Sequence, residues 1–247
     1  MPAEAGEEAR ARMLELFPGG FEEAGDDTLE LAAYTDEDGE ARARAVFGRV
    51  ESKPVEPGWE DRWREFHRPV RIGPLWIGPP WETPDPNALA IVIDPGQAFG
   101  TGTHPTTRLC LELMLELEPR GSLVDLGCGS GVLAIAAAKL GFEPVVALDS
   151  DRAAIAATRA NARDNGVVLD RVERFDLRHE PAPRADVVVA NLMRPLLLSI
   201  APDLQAPTVV ASGLLDHEAD EISAAFGRRE QKRLSDRGWT ALLLRAG

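Results

Sequence analysis

Residues 122–141, SLVDLGCGSGVLAIAAAKLG, decide the architecture of this chain. A short apolar run ends in a glycine-rich turn, Gly127-Cys128-Gly129-Ser130-Gly131, and an alanine-rich helical stretch follows at once. Strand, turn and helix in that order make one half of a crossover unit. The same alternation continues downstream through PVVALD (144–149), RAAIAATRANARDNG (152–166), RADVVVAN (184–191), LLLSIAPDL (196–204), TVVASGLL (208–215) and HEADEISAAF (217–226). Short valine- and leucine-rich runs separated by helices imply parallel strands buried on both faces. The tail REQKRLSDRGWTALLLRAG (229–247) instead holds two strand-like pieces joined at Asp236-Arg237-Gly238, which reads as a closing antiparallel hairpin. The expected fold is therefore α/β: a Rossmann-like, doubly wound, mostly parallel sheet over residues 88–247.

The spacing of the glycines argues about the ligand. A dinucleotide turn follows G-x-G-x-x-G and brings backbone N–H groups and a helix N-terminus onto a pyrophosphate. Here the glycines alternate through residue 131, and Asp125 stands two places before the first of them. A carboxylate there would repel a pyrophosphate and suits a cationic ligand. Asp149 closes the next strand 22 residues after Gly127, in the place from which an acidic side chain accepts from ribose hydroxyls. A ribose without a pyrophosphate, together with positive charge, describes S-adenosylmethionine. Gly127 and Gly129 are the turn residues expected to face it.

Three more stretches join the candidate site. IDPGQAFGTGTHPTTRLCLELM (93–114) is a glycine- and threonine-rich loop running into a helix whose start is marked by Pro105 and Thr106. Small residues there let backbone approach a ligand closely, and Phe99 is placed as a wall of the site. His104 is the candidate base of this loop. Asn191 ends an apolar strand on the carboxyl edge of the sheet, where its amide can touch a cofactor or orient a nucleophile, or else cap the following helix. Asp176, after the third strand, is placed near an adenine ring.

Bulk properties exclude several classes. The chain has 247 residues, 44% hydrophobic and 28% charged, and a formal charge of −14. That charge argues against direct nucleic-acid binding, which needs a basic surface. Residues 1–61 hold 17 acidic against 6 basic side chains, which favours a basic partner over long range. No apolar run approaches a membrane span and the first residues lack the pattern of a signal peptide, so a cytoplasmic location and no membrane partner are expected. Cys110 and Cys128 lack the spacing of a zinc site or disulfide framework, and no metal is expected. Residues 1–55 read as a small α+β unit, with helices over 7–17 and 38–47 and strands over 21–24 and 28–34. Residues 56–87, crowded with proline and tryptophan, read as a linker with a short helix, on which Trp59, Trp63 and Phe66 share one face.

The stretches IDPGQAFGTGTHPTT, LVDLGCGSGVLAIAAAKLG, LDSD, ADVVVAN and WEDRWREFHRPVRIGPLWIGPPW together resemble the ribosomal protein L-eleven methyltransferases, the PrmA family, over roughly residues 55–245. The resemblance implies transfer of methyl groups from S-adenosylmethionine to lysine side chains and the N-terminal amine of a large-subunit ribosomal protein. It implies that Thr106, Gly127, Asp149 and Asn191 contact the cofactor, and that residues 1–55 recognise the substrate. The front departs from the family pattern, since this chain starts in acidic, helix-forming sequence where members open on a β-strand. Three other functions are weighed against it: a methyltransferase of the same fold acting on another protein lysine or a small amine, a non-catalytic module that binds S-adenosylmethionine, and, disfavoured by the glycine spacing, a nicotinamide-dependent oxidoreductase.

Overall fold

Alternate residues of Val187–Asn191 fall into two separate cores, Val187 and Val189 on one side and Val188 and Ala190 on the other. That period of two is the mark of a strand covered on both faces. The computed structural model describes residues 9, 12, 13, 16, 17, 22–24, 30–33, 35–53, 68–95, 100 and 102–247. It divides into two compact units, Met1–Trp63 and Arg64–Gly247.

In the first unit, β1 (Glu22–Ala24) pairs antiparallel with β2 (Glu30–Ala32), and α1 spans Glu37–Phe47. Asp36 caps α1 by accepting from the N–H of Gly39 at 2.9 Å. Residues 9, 12, 13 and 16 are helical, within the helix expected over 7–17, and Met13, Phe17 and Ala43 form the buried cluster of this unit.

The second unit opens with a three-stranded sheet, β3 (Val70–Ile72), β4 (Leu75–Gly78) and β5 (Leu89–Val92), in which β4 pairs antiparallel with β3 and parallel with β5. These strands begin inside the stretch read from sequence as a linker. Its prolines and tryptophans conceal three- and four-residue strands too short to show a period. The aromatic face of Trp59, Trp63 and Phe66 lies outside the described residues.

Seven strands form the main sheet, in the order β11-β12-β10-β9-β6-β7-β8. They are β6 (Leu123–Leu126), β7 (Val145–Asp149), β8 (Arg171–Arg174), β9 (Val187–Asn191), β10 (Thr208–Leu215), β11 (Arg229–Asp236) and β12 (Trp239–Arg245). From β8 to β10 every pairing is parallel; β12 then runs antiparallel to both β10 and β11. The hairpin expected at the tail is present, turning at Arg237 and Gly238, both with positive φ. Helices α2 (Pro105–Met114), α3 (Val132–Leu140) and α4 (Arg152–Asp164) contribute to one core, and α5 (Arg194–Ile200) and α6 (Ala219–Phe226) to the other. The sheet is thus doubly wound, as expected. No helix among the described residues is long and apolar enough to cross a membrane.

The strand order reverses beside β6, whose neighbours β7 and β9 are reached by crossovers on opposite sides, and an open α/β sheet places its ligand site at such a point. One irregularity shapes the edge there. β10 shifts register against β12 between Ser212 and Leu214, and Gly213 sits in the shift at φ 88°. A Cβ on Gly213 would lie 2.3 Å from the carbonyl oxygen of Leu192. Gly213→Ala is therefore expected to destabilise the fold by roughly 2–4 kcal/mol, whereas Gly227→Ala, at positive φ in open space, should cost about 1 kcal/mol. Chemical denaturation of both variants checks the contrast.

Candidate functional site

Strand β6 delivers the chain into the glycine turn, and the turn satisfies itself. The N–H groups of Gly127 and Cys128 both donate to the carbonyl of Leu148, at 2.8 and 3.0 Å. Gly131 N–H donates to the Cys128 carbonyl at 2.8 Å. Gly129 N–H donates to Asp149 Oδ2 at 2.9 Å. An anion cradle needs these donors free; here four of the five turn residues have committed theirs. Gly131, at φ 86°, opens α3, and a Cβ on it would lie 2.9 Å from Thr158 Cγ2, so only glycine lets α4 pack this close.

Asp149 ends β7 half-buried. Its Oδ2 holds the glycine turn and its Oδ1 accepts from the N–H of Asp151 at 2.9 Å. Each carboxylate oxygen keeps a further lone-pair direction, so the group is oriented by backbone and still able to accept from a ligand.

Asp125 has a different place from the one its sequence position suggests. It was read as a carboxylate beside a cationic ligand, but it is fully buried, pointing from β6 into the start of α3, where Oδ2 accepts from Ala134 N–H at 3.1 Å. Residues 124 and 126 face the opposite core, so the strand's alternation turns residue 125 inward. Burial pushes its carboxyl up to about 7, the Ala134 N–H opposes the shift, and the charge of Asp149 adds to it. Oδ1 has no hydrogen-bond partner. Burial likewise pushes the thiols of Cys110 and Cys128 far above their ordinary range, which keeps both protonated and unreactive.

The loop of residues 93–104 is tied down at both ends by groups that the sequence reading did not single out. At its start, Asn165 bonds both backbone groups of Val92, at 2.9 and 2.6 Å, and Asn161 Oδ1 accepts from Asp94 N–H at 3.2 Å. Asn161 Nδ2 also donates to the Ser130 carbonyl at 2.8 Å, and Ser130 Oγ donates to the Gly100 carbonyl at 2.6 Å. One face of α4 therefore joins this loop to the glycine turn. Thr158, Asn161 and the capping Asn165, spaced three and four apart along an otherwise amphipathic helix, are the available signal. Phe99 lies outside the described residues.

His104 caps α2, with Pro105 at its first position. Its Nδ1 accepts from Thr106 N–H at 3.4 Å and lies 2.8 Å from Thr106 Oγ1, so the Thr106 hydroxyl is turned to His104 and is itself buried. The imidazole meets the Trp239 ring edge-on at 5.2 Å, and burial lowers its pKa, favouring the neutral ring. Asn191 ends β9 half-buried, its Nδ2 donating a long hydrogen bond of 3.5 Å to Thr107 Oγ1. It does not cap α5, whose N-cap is Met193. Asp176 lies in the turn after β8, its carboxylate gripped along one edge of the Arg178 guanidinium by Nε and Nη2 at 2.9 and 2.8 Å and lowered thereby to about 2. Gly127, Gly129, Asp149 and Asn191 thus lie on the carboxyl edge of adjoining strands, with Thr106 buried at the head of α2.

Known structures share this fold. The crystal structure of ribosomal protein L11 methylase from Lactobacillus delbrueckii subsp. bulgaricus matches with a TM-score of 0.67 at 28% identity, over 73% of this chain and 100% of that one. A 16S rRNA methyltransferase of T. thermophilus (RsmC), in complex with AdoMet and guanosine, shares the fold with a TM-score of 0.51 at 19% identity, over 62% of this chain and 46% of that one. The fold is the Rossmann-like one of methyltransferases. A family model described as Ribosomal protein L11 methyltransferase (PrmA) matches residues 18–246, and the chain belongs to that family. The curated Ribosomal protein L11 methyltransferase of Shewanella halifaxensis is 44% identical over 179 residues, which is 69% of this chain and 61% of that relative.

The buried carboxyl yields a test. Unfolded, Asp125 ionises near 3.8; folded, near 7. Between those values the folded state holds a proton the unfolded chain has lost, so this group's contribution to stability declines as pH rises from about 4 to about 7. Asp125→Asn removes that slope. The melting temperature of the variant relative to the parent should climb from pH 5 to pH 7 and then level; a difference independent of pH would mean the carboxyl is already ionised at pH 5.

Proposed function

We propose that this protein transfers methyl groups from S-adenosylmethionine to lysine side chains, the N-terminal amine, or both, of the large-subunit ribosomal protein L11, and does so in the cytoplasm. The observation that carries the reading is the self-satisfied glycine turn held by Asp149. Four of its five N–H groups are committed, which leaves too few donors for a pyrophosphate, while an oriented carboxylate at the end of β7 suits ribose hydroxyls. Membership in the PrmA family supports the acceptor, and the AdoMet held by RsmC supports the cofactor. The excess of acid in residues 1–61 supports a basic protein partner, and residues 1–55 are read as the part that recognises it.

The residues present fit that cofactor. Asp149 would take the ribose, Gly127 and Gly129 would lie against it, and Asn191 would line a further side, with Thr106 behind it at the head of α2. Asp176 would reach an adenine amino group from its turn after β8. When bound, S-adenosylmethionine supplies an electrophilic methyl group on a sulfonium cation.

The protein's own part is to prepare and aim the amine. A lysine amine, with a reference pKa near 10.4, arrives protonated and must lose its proton before it has a lone pair to offer. Desolvation at the sheet edge lowers that pKa and lets the proton leave to water. His104 is a poor acceptor for it, because its Nδ1 is engaged at the head of α2. Asn191 carries the aiming role: its carbonyl oxygen accepts an N–H of the neutral amine and fixes the direction of the lone pair.

Intact-mass spectrometry of unmethylated ribosomal protein L11, incubated with this protein and S-adenosylmethionine, should show gains in whole methyl steps. No gain, with cofactor binding demonstrated separately, would transfer the activity to another amine. Asn191→Ala should slow the gain by about 10²-fold while holding cofactor affinity within a few-fold; an unchanged rate would remove Asn191 from the mechanism.

A further inference from the structure

Among the described residues only four large apolar side chains are exposed: Val46, Val168, Met193 and Leu215. Two of them stand at the candidate site. Asn191 pairs in register with Ser212, Leu192 N–H donates to the Ser212 carbonyl at 3.0 Å, and the backbones at Leu192 and Gly213 are in close contact. Met193 and Leu215 therefore leave two adjacent parallel strands by the same edge, just past Asn191. Met193 is 77% exposed and, though it is the N-cap residue of α5, makes no side-chain capping bond. Local structure gives no reason for an apolar side chain there.

The charges beside this pair are uneven. Residues 216–221, DHEADE, follow Leu215 directly. Arg194 pairs with Glu221 and Arg233 with Asp220. Asp216 accepts from Thr240 Oγ1 and Glu218 from Leu215 N–H, and neither has an ion-pair partner among the described residues. Two apolar side chains bordered by two carboxylates, neither of them in an ion pair among the described residues, fit a segment that is aliphatic close to the site and cationic around it.

Resting on the methyl-transfer reading above, we propose that Met193 and Leu215 form the lip on which the substrate segment bearing the acceptor amine lies, its aliphatic stem against both side chains and its neighbouring basic residues toward Asp216 and Glu218. An amine delivered to Asn191 hangs from a chain of methylenes, which gains by covering apolar surface while its charged surroundings stay in water. Methionine, unbranched and flexible, adapts to a stem whose terminal amine gains one methyl group at each turnover. The carboxylates attract the cationic segment before contact.

Steady-state methylation of ribosomal protein L11 by Met193→Ser, Leu215→Ser and Met193→Leu variants, with S-adenosylmethionine Kd measured by calorimetry, tests this. Met193→Ser should raise KM for the protein about tenfold, leaving kcat within about twofold and cofactor Kd unchanged. Leu215→Ser should raise KM less, and Met193→Leu should keep the parent value. Because Met193 is exposed, the melting temperature should not move, which separates a folding defect from a binding one. An unchanged KM in Met193→Ser, or a change confined to cofactor Kd, overturns the proposal. If the parent protein binds S-adenosylmethionine yet methylates no residue of L11, the choice of acceptor fails and the lip fails with it.

Discussion

The hydrogen bond from Gly129 N–H to Asp149 Oδ2 joins the end of β6 to the end of β7, and the shape of the carboxyl edge depends on it. It holds the turn closed over its own backbone donors and holds the carboxylate still. The turn in turn supports Ser130, which reaches the Gly100 carbonyl, and Asn161, which reaches the Ser130 carbonyl. One backbone N–H thus lies at the root of a polar chain that runs from the sheet through α4 to the loop of residues 93–104. All of these groups except Asp149 and Gly129 lie in the interior, where an unpaired polar atom is costly.

Asp125 is the counterweight. A carboxyl in the interior of β6, with one oxygen on Ala134 N–H and the other unpartnered, costs the fold stability once ionised. Its position under the turn, within electrostatic reach of Asp149, ties its protonation to the charge of the site above it. The two carboxylates of this region, Asp125 and Asp149, are distinguished by burial: the inner one is driven toward neutrality, the outer one is bonded by backbone N–H groups and left open to a ligand.

Much of this was legible in the residues. The strand–turn–helix at 122–141, the switch from helix-separated strands to a hairpin at 236–238, Asp149 at a strand end and Asn191 at another all followed from period, spacing and turn chemistry. The order of the strands did not, because pairing between β12 and β10 is a long-range choice. The cue was present in composition: TALLLR is continuously apolar and becomes the inner strand, whereas REQKRLSD alternates charge and becomes the edge. Strands β3 to β5 were hidden by their shortness among prolines. Asp125 was misjudged because sequence position gives closeness to the turn but not the face on which the side chain falls. Ser130, Asn161 and Asn165 were passed over because their partners lie 30 or more residues away, a distance at which periodicity is silent.

The central claim is that the edge formed by Gly127, Gly129, Asp149 and Asn191 receives an adenosine bearing a cation and no pyrophosphate. A crystal structure of the protein with S-adenosylhomocysteine tests it most directly. The account predicts density over the glycine turn, with both ribose hydroxyls within hydrogen-bonding distance of Asp149 and the amino-acid end directed between the 93–104 loop and Asn191. Ligand bound elsewhere, or a ribose that leaves Asp149 uncontacted, would contradict it.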